Sequence, residues 1–100
     1  MITLTPRTRT KTSTGGVLMT DGVPRGPQKL RLVEPGDSGG RLPIRAADGL
    51  EREVEYILLG EHTAEIGKYD IFTYAGSRWE VAALMHDNGW EKRGLVVRFD

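Results

Sequence analysis

The chain of 100 residues contains no cysteine, which excludes a disulfide framework and thiolate metal sites and fits a protein made inside the cell. No apolar run approaches the roughly 20 residues needed to cross a bilayer as a helix. Fourteen basic side chains are matched by fourteen acidic ones, so no global field draws in nucleic acid or a membrane surface. The opening Met1-Ile2-Thr3-Leu4-Thr5-Pro6 lacks a charged lead and an apolar stretch, and no signal peptide is expected. Long helices are also unexpected, because thirteen glycines and five prolines interrupt the chain too often. What remains, at 38% hydrophobic and 28% charged, is the composition of one soluble domain with one core.

The charge balances in sum but not in distribution. Residues 1–50 carry eight basic groups and four acidic ones, whereas residues 51–100 carry six and ten. The first 32 residues set Arg7, Arg9, Lys11, Arg25, Lys29 and Arg31 against Asp21 alone. Such asymmetry marks a surface for nucleic acid, complementary faces between copies, or simply a solvated basic arm.

Strands dominate the second half. Val54, Tyr56 and Leu58 alternate with Glu53, Glu55 and Ile57, which predicts a strand with one apolar face. Lys68–Thr73 is a second candidate, and Gly76-Ser77 turns the chain into Arg78–Leu84. Asp87-Asn88-Gly89 is a hairpin signal, since Asn-Gly accepts positive φ at both positions. The closing strand is Gly94–Phe99, with Leu95, Val97 and Phe99 on one face and Val96 and Arg98 on the other. In the first half, Lys29–Val33 turns Leu30 and Leu32 inward, and Arg41–Arg45 is anchored by Leu42 and Ile44. Helix is confined to a turn within Glu61–Ile66. The fold class is therefore mainly β: a small antiparallel β-barrel or meander with long loops and an extended N-terminal arm. Residues 1–14 form the arm and residues 15–100 the barrel domain. Arg7 to Thr12 alternates basic groups with threonines and has no apolar surface to bury, leaving it as an edge strand, a strand added to a neighbour's sheet, or a tail.

Several strings imitate catalytic motifs. Gly36-Asp37-Ser38-Gly39-Gly40 matches the nucleophile loop of trypsin-like proteases, but no histidine precedes Ser38 and the chain is about half the necessary length. Asp37-Ser38-Gly39 also matches the aspartic-protease triplet. Val33-Glu34-Pro35-Gly36 leads into it with a charge, a proline and a glycine rather than the apolar strand that buries such a carboxylate. His62 and His86 lack metal-ligand spacing and are placed on loops. Gly15-Gly16 has neither the lysine nor the following helix of a phosphate loop. Tyr56, Trp79 and Phe99 fall on apolar strand faces and are expected in the core. No catalytic residue, metal or other cofactor is expected.

The stretch Arg52–Phe99 carries an ordered set of features. A strand ends in an aliphatic pair (Tyr56-Ile57-Leu58-Leu59), and a polar link reaches Ile66-Gly67-Lys68-Tyr69-Asp70-Ile71. Tyr74-Ala75-Gly76-Ser77 then turns into Arg78-Trp79-Glu80-Val81, and a loop with Trp90 precedes Gly94–Phe99. In order and spacing this half of the chain resembles the head-to-tail stopper, or head completion, proteins of long-tailed double-stranded-DNA phages. The first 50 residues match that family only in outline, and the family's loop before the last strand is often longer. The resemblance implies a non-enzymatic homo-oligomeric ring of six- or twelve-fold symmetry, located in the virion and assembled in the host cytoplasm. Portal or adaptor proteins, a tail terminator or tail tube protein, and packaged DNA in the channel would be its partners, with no membrane. Arg7, Arg9, Lys11, Arg25, Lys29 and Arg31 are then candidates to face a neighbouring subunit or DNA. Glu34, Asp37 and Ser38 mark a candidate channel or docking loop. The alternatives are another phage neck or tail-end ring protein, and a free-standing β-barrel that binds nucleic acid or protein.

Overall fold

Alternation of apolar and polar side chains builds one principal sheet. The computed structural model describes residues 1–34, 43–85 and 89–99. In it five antiparallel strands lie in the order β3-β6-β9-β8-β7. These are β3 (Arg31–Val33), β6 (Tyr56–Glu61), β7 (Ile71–Tyr74), β8 (Ser77–Leu84) and β9 (Glu91–Arg98). The sheet curls into a half-barrel, and no helix occurs among the described residues. Two ribbons complete the fold: β1 (Arg7–Lys11) pairs with β2 (Val17–Asp21), and β4 (Pro43–Arg45) pairs with β5 (Glu51–Glu53). The mainly-β reading of the sequence holds.

The turn between β7 and β8 is Ala75-Gly76, with φ of 53° and 80°. Two successive positive values match the twist of a tight hairpin, and glycine at the second position carries no Cβ strain. Tyr74 and Ser77 face each other across it.

Both faces of the sheet are covered. Inside the curl, Leu4, Leu58, Val81 and Val96 are fully buried with Ile2, Ile66, Phe72 and Trp79 around them. The Trp79 indole donates to the Tyr74 carbonyl at 3.1 Å and meets the Tyr56 ring edge-on at 5.1 Å. A second cluster of Ala46, Val54, Ala82 and Val97 lies under the β4–β5 ribbon. This corrects one expectation. The strand predicted through Val54–Leu58 is interrupted at Val54-Glu55, which link β5 to β6, so Val54 joins the second cluster and Leu58 the first. In β9, Val96 and Val97 are both fully buried, on opposite faces, because apolar cover exists on both sides.

The arm expected over residues 1–14 is likewise corrected. Ile2 and Leu4 are 8% and 0% exposed, and both belong to the main core. Backbone pairs join Ile2 to Gln28 (3.0 Å each way) and Thr5 to Ile71 (2.9 and 3.0 Å). Residues 2–5 thereby bridge the two edges of the half-barrel, β7 on one side and the approach to β3 on the other. Their two alternating aliphatics supply the burial that Arg7–Thr12 lacks. Pairing of β1 runs to β2 of the same chain, so a boundary at residue 14 falls inside the connection of one hairpin.

Candidate functional site

The six basic side chains singled out from the sequence divide into fasteners and surface groups. Arg7 donates through Nη2 to Glu80 Oε1 and through Nε to the Tyr69 carbonyl at 2.8 Å. Its guanidinium also lies 5.3 Å from the centre of the Phe99 ring, which Arg78 approaches to 4.7 Å. Glu80 is 3% exposed, and its second oxygen accepts the Ala47 amide at 3.0 Å. Arg9 donates to the Ala47 carbonyl at 3.2 Å. One carboxylate on β8 therefore fastens both ribbons to the main sheet.

Arg25 serves a second fastening. It donates to Asp70 Oδ2 and Glu65 Oε2, each at 3.2 Å, and Asp70 is 1% exposed. The Gly67 amide donates to the same Asp70 oxygen at 2.9 Å. Gln28 and Glu65 exchange a donor and an acceptor, at 2.9 and 2.8 Å, in the manner of paired strands. Arg7 and Arg25 are thus engaged within the chain, Arg7 almost fully buried and Arg25 half-buried. Their acids lie 73 and 45 residues away in sequence, where no local pattern announces them.

Lys11, Lys29 and Arg31 are exposed. Lys11 stands near the tip of the β1–β2 ribbon, on the face shared with Arg9, Val17 and Met19. Thr8, Thr10, Leu18 and Thr20 form the opposite face, all exposed, with Leu18 at 55%. Lys29 and Arg31 come together in an open groove of about 500 Å³, lined also by Met1, Leu59, Glu61 and Trp90. Trp90 is 83% exposed. The sequence places Trp90 only in the loop before the closing strand; its placement across the sheet from β3 joins it to Lys29 and Arg31.

Glu34 is exposed at the end of β3, and Asp37 and Ser38 lie outside the described residues, as does His86. His62 is exposed in the turn after β6. Among the described residues no three histidine, aspartate or glutamate side chains gather as metal ligands. Asp48 has its carboxyl held below the ordinary value of 3.8, chiefly by the Arg52 guanidinium bonded to it at 2.7 Å. That pair closes the β4–β5 turn. No helix of the described residues is long and apolar enough to cross a membrane.

These features define an all-β domain in which a curled sheet carries two polar-fastened ribbons and an open groove. The chain matches no protein-family model, no curated protein and no solved structure.

Proposed function

We propose that this chain is a non-enzymatic ring subunit at the head–tail junction of a long-tailed phage, of the stopper type, which closes the DNA channel and receives the tail. The observation that carries the reading is the ordered β6–β9 stretch. The residues that resemble the stopper family, Arg52 to Phe99, include the β7-β8-β9 meander and β6 returning beside β9. The β1–β2 ribbon supports it further, since among the described residues it pairs with no other strand and carries an exposed threonine face. A ring needs two different complementary surfaces on each copy, and an element projecting from a closed core is suited to supply one of them. The virion would be its location, and portal or adaptor proteins, tail proteins and packaged DNA its partners.

Native mass measurement of the purified chain, alone and mixed with phage portal, adaptor and tail proteins, tests the reading. A six- or twelve-fold ring, or stoichiometric capture into such a ring, is the expected result. A monomer in every mixture would overturn it.

A further inference from the structure

Among the described residues no strand pairs with the outer edge of β3, and the side chains along it specify what can pair there. In an antiparallel strand successive residues aim their amide and carbonyl to opposite sides. Arg31 and Val33 face Leu59 and Ile57 of β6, while Gln28 exchanges both backbone bonds with Ile2 on the other side. The same alternation turns the backbone groups of Leu30 and Leu32 away from β6, along the line where the pairing with Ile2 stops. Among the described residues no strand takes up that edge beyond Gln28.

Side chains follow the same period. Leu30 is buried and Leu32 packs against the main core. Lys29 and Arg31 project into the groove with Trp90. A strand added here would set every second side chain beside Leu30 and Leu32, continuing the core, and the others beside Lys29 and Arg31. Opposite charges directly across a pair stabilise and like charges destabilise. Trp90, broad and exposed, offers an anchor of the type that dominates protein–protein contacts. Glu61 lies at the β6 end of the groove, and Glu91 beside it is bonded to Arg93 at 2.8 Å, so the positive charge is concentrated on the β3 side.

We propose that the β3 edge is a strand-addition site for an extended segment of a partner protein in which acidic and apolar residues alternate. Acidic positions lie against Lys29 and Arg31, and apolar ones against Leu30 and Leu32. Main-chain bonds supply the affinity and the alternation supplies the specificity. This goes beyond the ring reading and stands on the sheet edge alone. It holds or fails whatever particle the chain belongs to.

The test uses the full chain, isotopically labelled, and a capped peptide alternating glutamate and valine over six residues. Saturable shifts of the Leu30 and Leu32 amides and of the Trp90 indole are expected. Arg31→Glu should weaken the glutamate–valine peptide about tenfold and create binding of a lysine–valine peptide. Leu32→Pro should abolish binding, because it removes an outward donor while leaving the bonds to β6 untouched. Should that variant fold poorly, the charge swap at Arg31 decides alone. Three results would overturn the proposal. They are no saturable shift, equal binding of both peptides by the unaltered chain, and shifts at Lys29 and Arg31 produced by a DNA oligonucleotide but not by the peptide. In the last two cases the cations serve as a charge guard or a phosphate contact instead.

Discussion

Glu80 joins parts of the molecule that no shared sheet connects. Its oxygens hold Arg7 of one ribbon and the Ala47 amide beside the other, and its side chain and that of Arg7 are 4% and 9% exposed. Removing one member of such a pair leaves an uncompensated buried charge. Glu80→Ala should therefore lower stability by about 3–5 kcal/mol in urea unfolding. The double variant Arg7→Met, Glu80→Leu should recover a large part of that loss, since neither charge remains to be solvated. If the losses of the single variants simply add in the double, the two side chains act independently. Asp48 acts at the acid end. Its carboxyl is depressed by Arg52, so its contribution is present above the ordinary value of 3.8 and is lost as pH falls through the lower value of the folded state. Thermal unfolding of Asp48→Asn should lie slightly below the parent near pH 7, fall less steeply below about pH 4, and converge with the parent in acid. The side chain is 46% exposed, so solvent screening keeps the difference small.

Among the elements, the β1–β2 ribbon has the least apolar support. Most of its side chains are exposed, and Arg7 and Arg9 tie its base through polar contacts. A two-stranded hairpin is marginal in water without a covered face. Native-state hydrogen exchange should show the ribbon amides opening well below the global unfolding free energy, while β6 and β9 exchange last. Equal protection across all three sheets would mean that the ribbon is not a separate unit. The β4–β5 ribbon differs because Val54, Ala46 and Ile44 seal Val97 and Ala82 beneath it. Alternation along β8 serves both cores, placing Val81 on the inner face and Ala82 on the outer one, and a register shift against β9 falls between Val81 and Ala83.

In the whole molecule, the half-barrel is closed by the start of the chain. Leu4 is fully buried and Ile2 nearly so, and together they fill the gap between β7 and the approach to β3. Leu4→Ala should cost about 2–5 kcal/mol. Deleting residues 1–5 should cost more than shortening the connection at residues 12–16, because only the deletion removes core. Melting curves of the two variants measure the difference. Unchanged melting after the deletion would show that the five-stranded sheet is sufficient without its closing segment.

The sequence by itself determined the strands and several of the turns. Period-two alternation from Arg78 to Leu84 and from Gly94 to Phe99, and the glycine of Ala75-Gly76, impose local backbone geometry that any tertiary setting must respect. The inward placement of Leu30 and Leu32 was legible for the same reason, as was the loop position of His62, whereas Arg7–Lys11 read equally as a strand or a tail. Tertiary structure alone decided which charges are surface and which are fasteners. Arg7, Arg9 and Lys11 share one alternating pattern, yet Arg7 meets a carboxylate 73 residues later while Lys11 meets solvent. It also decided that both faces of β9 are covered and that Trp90 shares a groove with Lys29 and Arg31. Periodicity reports which side of a strand a residue occupies. What lies across from that side depends on contacts remote in sequence, and those exist only once the chain has closed on itself.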